Sequence, residues 1–340
     1  MSTGDITTKR ATIYDVATLA GVSHQTVARL VRGRSNINPE MRRRIEMAIN
    51  QLGYRPNGNA RALATHDNRL LGAIVPTLSE LGPSRDVQGA IAGARTAGYV
   101  LDVLTVAPDD PEEFVNAVKF FESRDVAGLL VQASTDQLLA AASAYKFRVP
   151  TYIEHEDWRY RERMPSADTD GIALVIDHLI KLGHARFLFI SGPYGWVSSR
   201  NRLNSYLASL ASHDANSAGT VQGDWSARSG YEVIAALKPP LDFTAVVSAN
   251  DQMALGAMLA LSDRGLEVPT DVSVSGFDDL PDAGYYQPPL TTVAQDSASQ
   301  GNLAVARLLQ LIEGVEDSEL RSEVVPGLVI RRSTGEARQS

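Results

Sequence analysis

No cysteine occurs among the 340 residues, so disulfides and thiolate metal sites are excluded outright. No stretch is apolar enough to span a bilayer, and the polar start MSTGDITTKR lacks the apolar core of a signal peptide. The expectation is a cytoplasmic protein with no membrane partner. Common catalytic signatures are also missing: there is no G-x-S-x-G, no P-loop and no G-x-G-x-x-G opening a helix. Asp278–Asp279 and Glu154/Glu156 are candidate carboxylates. Glycoside hydrolysis needs two of them flanking one bond, but nothing in the sequence places these at a catalytic separation. His155, among Glu154, Glu156 and Asp157, carries metal-ligand chemistry, yet these residues alternate along an expected exposed loop. We therefore expect no catalysis, no metal and no cofactor.

What is present begins with an uneven charge. The chain is 44% hydrophobic and 21% charged, an ordinary globular balance with length for two or three domains. The net charge of -8 conceals a split. Residues 1–69 hold 11 Lys/Arg against 5 Asp/Glu, while the remainder holds 21 against 35. A small basic head on a large acidic body implies that only the head meets a polyanion.

The head contains the most informative stretch, Thr12 to Arg32, TIYDVATLAGVSHQTVARLVR. Thr12 caps a first helix and Asp15, three residues on, answers the free amides. Ile13, Val16, Ala17 and Ala20 fall on one face at helical spacing. Gly21 supplies a tight turn, and Ser23 caps a second helix with Val22, Val27, Leu30 and Val31 as its apolar residues. His24, Gln25 and Arg29 are left projecting. Two short helices about a glycine turn form a helix-turn-helix, whose second helix enters the DNA major groove. A third helix is expected from Asn38 as cap, Pro39 at the first position and Glu40 in the first turn, ending at Gly53. Met41, Ile45, Ala48, Ile49 and Leu52 close the core, with Arg42, Arg43 and Arg44 on the outer side. Residues 54–69, YRPNGNARALATHDNR, read as a linker in which ARALA is helix-capable and Leu63 is the one large apolar residue.

From Leu70 short apolar runs alternate with helical stretches. LLGAIV (70–75), YVLDVLTV (99–106), VAGLLV (126–131) and VPTYI (149–153) read as strands, with helices near 84–97, 111–123 and 135–145. GAIAGARTAG (89–98) reads as small-residue helix packing. After DTDG the alternation restarts, with a helix near 171–182 and strands RFLFIS (186–191), TAVVS (244–248) and VSVSGF (272–277). Continuous apolar strands separated by helices predict parallel sheets covered on both faces. Two such runs predict two doubly wound α/β lobes with a ligand between them. Asp278 and Asp279, Asn250 and Asp251, and Ser198 to Arg202 follow strands and converge on that opening. Carboxylate, amide and guanidinium groups suit the paired hydroxyls of a sugar, and Trp225 can stack on its C–H face.

TIYDVATLAGVSHQTVARLV, INPEMRRRIEMAINQLGYRPNGNARALA, GDWSARSG (223–230), ANDQMALGAM (249–258), GFDD (276–279) and PPLTTVAQD (288–296) together resemble the lactose-repressor family of bacterial transcription regulators. The resemblance runs from Thr12 to Arg332. It implies a small all-α helix-turn-helix head (1–56), a hinge helix or linker (57–69) and a periplasmic-binding-protein-like body (70–334). The body would have a first lobe at about 70–167 and 297–324, and a second at about 168–296 and 325–334. It implies base-edge contacts for His24, Gln25 and Arg29; chemically, Gln bonds adenine bidentately and Arg bonds guanine. Thr12, Ser23, Thr26 and Asn36 match backbone-contacting positions. Asn57 to Ala64, including Ala60, match a hinge helix that folds on operator DNA, with Leu63 as a minor-groove wedge. Ser198, Arg202, Trp225, Asn250, Asp278 and Gln295 match sugar-contacting positions.

Several residues depart from the family's type member. Ala28 replaces a phosphate-bonding hydroxyl, Arg32 stands where Asn is common, and His24 replaces a tyrosine. In the first lobe Glu80 and Asp86 stand at apolar positions, His155 stands about where there is a sugar-binding Asp, Gln132 replaces an Asn, and Trp196 replaces a Ser and offers a second aromatic platform. Pro83 and Ser84 are retained. The resemblance implies a homodimeric repressor on pseudo-palindromic double-stranded operator DNA, controlling carbohydrate utilisation and released by a small sugar such as a galactoside or related glycoside. The sequence leaves open a phosphorylated sugar or purine effector, and corepressor rather than inducer action. After Arg332 only STGEARQS follows, with no heptad repeat, so dimers are the expected assembly.

Overall fold

A computed structural model describes residues 11–31, 37–54, 68–78, 81–154, 167–315 and 325–338. The chain divides into two compact units, Met1–Arg69 and Leu70–Ser340.

The first unit holds helices α1 (Ile13–Ala20), α2 (His24–Val31) and α3 (Pro39–Leu52). Thr12 and Asp15 form a reciprocal capping box: the Thr12 amide reaches the Asp15 carboxylate at 2.7 Å and the Asp15 amide reaches the Thr12 hydroxyl at 3.4 Å. Gly21 adopts φ 62° in the turn, a conformation that costs L side chains energy. The Thr26 amide donates to the Ser23 hydroxyl at 3.2 Å, opening α2. Asn38 caps α3 through the Glu40 amide, Pro39 takes the first turn, and Gly53 ends the helix at φ 57°. Val16, Ala17, Ala20, Val27, Ile45 and Ala48 are buried together, so three amphipathic faces close one small core. Arg44 departs from the expected outer row. Its guanidinium donates to the Ala20 carbonyl and, at 3.1 Å, to that of Gly21. The C-terminal carbonyls of α1 are exposed by the glycine turn and attract a cation.

The second unit contains two four-stranded parallel sheets. The first has the order β2-β1-β3-β4, from β1 (Leu70–Val75), β2 (Val100–Thr105), β3 (Gly128–Gln132) and β4 (Thr151–Glu154). It is covered by α4 (Leu81–Thr96), α5 (Pro111–Ser123) and α6 (Asp136–Ala144). The second follows α7 (Ala167–Lys181) and has the order β6-β5-β7-β8, from β5 (Arg186–Ser191), β6 (Asn216–Gln222), β7 (Ala245–Ser248) and β8 (Ser273–Ser275). Helices α8 (Val197–Ser212), α9 (Ala227–Ala235) and α10 (Asp251–Asp263) connect its strands. Strands β3, β5 and β7 are almost wholly buried, which explains their unbroken apolar runs.

Strand β6 was not legible in sequence. NSAGTVQ has no apolar run because it lies at the sheet edge and is mostly exposed. After β8 the chain forms β9 (Thr292–Ala294), returns to the first lobe as α11 (Ser297–Glu313), and comes back as β10 (Gly327–Val329), antiparallel to β9. Helix α11 packs directly on α4. A Cβ on Gly89 would lie 1.9 Å from the Ala298 carbonyl oxygen, and one on Gly93 would lie 2.3 Å from the Asn302 side chain. The glycines of GAIAGARTAG therefore permit helix backbones to touch. Among the described residues, no helix is long and apolar enough to cross a membrane.

Candidate functional site: a cleft at the strand ends and an exposed helix

In each sheet the chain winds outward in both directions from a central pair, β1/β3 and β5/β7. The crevice beyond the carboxyl ends of such strands is where open α/β sheets hold ligands. Here both crevices face one cleft, open to solvent. At one margin the lobes are tied together: the Val197 amide donates to the Ser134 carbonyl at 3.0 Å, and Arg200 meets Asp136 at 2.7 Å.

Gln132, Trp196, Ser198, Arg202, Trp225, Asn250, Asp278 and Gln295 all line this cleft. They come from separate elements: Gln132 ends β3, Trp196 precedes α8, Ser198 and Arg202 lie on its first turns, and Asn250 caps α10. Of the residues expected here, His155 lies outside the described residues.

Arg202 organises the second-lobe wall. It donates to Asp168 at 2.7 Å and to the Ala249 carbonyl, lies 3.5 Å from Asp278, and stacks 3.8 Å from the centre of the Phe277 ring. Asp278 also accepts from the Gln295 amide at 2.9 Å. Burial raises the Asp278 carboxyl above its ordinary range, and the Arg202 charge opposes that shift. Trp225 (φ 74°), Asp278 (φ 104°) and Asp279 (φ 45°) sit in the left-handed region, unusual for such residues; the first two line the cleft, while Asp279 turns to Arg331. Behind them, buried Asp251 holds the turn. Its carboxylate accepts from the Leu280 amide at 2.8 Å and from the Thr292 hydroxyl. Burial pushes its pKa up to about 8, with the Asp278 charge adding to the effect.

The indoles line the cleft and also belong to the second-lobe core. Trp196 and Trp225 meet edge to face at 6.1 Å. A Cβ on Gly192 would lie 2.2 Å from the Trp225 ring, so that glycine makes room for the indole.

Asp86 and Glu154, singled out in the sequence as a polar departure and a candidate carboxylate, also face the cleft, as do Gln252, Ser297 and Gln300, which sequence reasoning passed over. Asp86 was visible as a polar residue at an apolar position, which was the available signal. Ser297 and Gln300 gave none, because only the return of α11 to the first lobe brings them there. The Gln132 amide donates to Asp86 at 3.1 Å. Burial, then the neighbouring charge of Glu154, holds the Asp86 carboxyl well above the usual carboxylate range, with Ser297 and Gln132 offsetting part of the shift.

In the head, His24, Gln25 and Arg29 are exposed along α2, while Val27 beneath them is fully buried. The His24 ring lies 5.2 Å from that of exposed Tyr14. Thr12, Ser23 and Thr26 stand at or beside the helix starts, the latter two joined hydroxyl to hydroxyl at 2.9 Å. Asn36, Asn57, Ala60 and Leu63 lie outside the described residues.

Residues 12–57 match the family described as bacterial regulatory proteins, lacI family, and residues 176–334 match a periplasmic binding protein-like domain. The chain is 35% identical over 329 residues to the lactose operon repressor of Escherichia coli (strain K12), covering 96% of this chain and 91% of that protein. It is 32% identical over 340 residues to the HTH-type transcriptional repressor PurR of Haemophilus influenzae (strain PittEE), covering 95% and 98%. Among solved structures, the lac repressor dimer bound to operator and the anti-inducer ONPF superposes with a TM-score of 0.86 at 35% identity, over 96% of this chain and 100% of that one. With its helix-turn-helix head and two-lobed α/β body, this chain belongs to the lacI family of bacterial regulatory proteins and is a DNA-binding transcriptional repressor.

Proposed function

We propose that this repressor controls a carbohydrate-utilisation operon and is released from its operator by a small glycoside, a galactoside or a related sugar. One observation carries the reading. A single cleft presents a carboxylate (Asp278), two amides (Asn250 and Gln295), a guanidinium (Arg202) and two indoles (Trp196 and Trp225). Directional polar groups for hydroxyls beside aromatic faces for C–H surfaces are the two requirements of sugar recognition. The relationship to the lactose operon repressor supports the same class of ligand.

In this reading Gln132, His155 and Ser198 complete the pocket. His24, Gln25 and Arg29 read base edges, Thr12, Ser23, Thr26 and Asn36 hold the phosphodiester backbone, and the Asn57–Ala60–Leu63 segment folds against the minor groove. Two copies bind as a homodimer, as in the related dimer bound to operator, with each head on one half of a pseudo-palindrome. The sugar closes the lobes and favours a state in which the two hinge segments no longer pair, so it must bind the DNA-free state more tightly.

The relationship to a purine repressor favours one rival, a purine acting as corepressor. The acidic cleft speaks against a phosphorylated ligand, since Arg202 is already held by Asp168 and Asp278. Fluorescence anisotropy on labelled DNA from upstream of the protein's own and neighbouring genes separates these readings, with galactosides, other glycosides and purine bases as the panel. Release by one sugar is the expected result. Tightening by a purine overturns the inducer reading, and no binding to any fragment overturns the operator assignment.

A further inference from the structure

The two walls of the cleft balance their charges differently. On the second-lobe wall, Asp168 and Asp278 share Arg202 at 2.7 Å and 3.5 Å, and Asp279 pairs with Arg331 at 2.6 Å. On the first-lobe wall, the described groups acting on Asp86 are Gln132, Ser297, Glu154 and Asp278, none of them a cation. Arg85, its neighbour on α4, reaches across instead to the carbonyls of Asp278 at 3.2 Å and Asp279 at 3.3 Å. The amide nitrogen of Gln132 is taken by Asp86 at 3.1 Å. That leaves Gln132 Oε1 and Asp86 Oδ1 buried without a hydrogen-bond partner among the described residues. Gln132 is only 8% exposed, yet it lines the cleft, and strand register sets Glu154 beside it. Buried acceptors without donors are costly, and each needs an explanation.

We infer that the effector carries a primary ammonium group, as an amino sugar does, seated on the first-lobe wall against Asp86, Gln132 and Glu154. The inference rests on the glycoside reading above, which keeps the sugar ring against Asp278, Asn250 and the two indoles. A hydroxyl donates one proton and brings lone pairs that seek donors of their own, whereas an ammonium offers three donors and no acceptor. It matches a wall of acceptors and supplies the positive charge that Asp86 lacks among the described residues. Burial and the charge of Glu154 hold the Asp86 carboxyl well above the usual carboxylate range; a fixed cation beside it opposes both effects.

The test is isothermal titration of the intact repressor with D-glucosamine, D-galactosamine and 6-amino-6-deoxyhexosides, beside their parent hexoses and N-acetyl derivatives. One amino sugar should bind at least about tenfold tighter than both its parent and its N-acetyl form, the effect of a hydrogen-bonded charge. Asp86→Asn, which keeps the shape, should shrink that preference to about threefold or less. The Gln132→Leu variant should weaken the amino sugar more than its parent. A parent sugar that binds as tightly as its amino form, or a preference untouched by Asp86→Asn, overturns the ammonium and leaves the glycoside reading standing. Silence across the whole panel overturns both.

Discussion

The side-chain amide of Asn250 donates to the backbone carbonyl of Trp225 at 2.9 Å, while its oxygen accepts the Met253 amide at 2.8 Å. One residue therefore caps α10 and fixes the left-handed backbone that carries an indole into the cleft. Asn250→Asp keeps the cap oxygen and loses the donor. Sugar affinity should fall about tenfold with little change in stability, whereas Asn250→Ala should also lose about 1 kcal/mol with the cap. Titration calorimetry and urea unfolding on the pair separate the two effects; equal destabilisation by both substitutions would refute the division.

Asp278→Ala should abolish the response to sugar and leave operator affinity intact. It leaves Arg202 bonded to Asp168, so the buried guanidinium keeps a counter-ion. Anisotropy with and without the inducing sugar checks this, and a normal response removes Asp278 from the pocket.

Asp251 gives stability a pH dependence of known sign. Its folded pKa lies at about 8 against an ordinary 3.8, chiefly because it is buried. The contribution of the protonated carboxyl is fully present below the lower value and is lost as pH rises through about 8. Wild-type unfolding free energy from urea titrations should therefore fall from about pH 5 toward 8 more steeply than that of Asp251→Asn, by up to about 1.4 kcal/mol per pH unit, and the two slopes should converge above about 8. Asp86 shifts in the same direction, so only the difference between the two proteins reports on Asp251. Parallel curves would show that Asp251 is ionised in the folded state.

Gly89→Ala should destabilise the first lobe by about 1–3 kcal/mol, the usual result of forcing atoms into a packed contact. The obstacle is backbone, the Ala298 carbonyl, and it cannot rotate away. Gly82→Ala, on the same helix with open space around its Cβ position, is the control. Thermal unfolding should separate them clearly.

In the head, Gln25→Ala should cost about 1–3 kcal/mol of binding to the cognate operator and relax preference at one base pair. Leu63→Ala should weaken specific binding while leaving sugar affinity nearly unchanged. Mobility-shift titrations against operator and scrambled DNA measure both, and unaltered operator affinity would remove either residue from its role.

The residues that announced themselves in sequence act over short distances. The Thr12–Asp15 box, the Asn38 cap and the glycines at 21 and 53 work within one helical turn, so spacing alone reveals them. The buried strands declared themselves through unbroken apolar runs. Edge strand β6 did not, because exposure removed the hydrophobic signal. Arg44 read as one of three equivalent arginines, and only the fold brings it to carbonyls 23 and 24 residues earlier.

The cleft divides in the same way. The sequence by itself determined the class of each lobe and set Asn250, Asp278 and Arg202 after strands, because the βα alternation dictates which loops face a ligand. Tertiary structure alone decided that Asp86 meets Gln132 46 residues away and that Arg85 crosses 193 residues to Asp278. It also decided that Arg202 neutralises one wall of the cleft while Asp86 receives no cation among the described groups acting on it. Periodicity and capping are local and survive in a one-dimensional record. The pairing of buried charges depends on which helices return to which lobe, and on how little water is left between them.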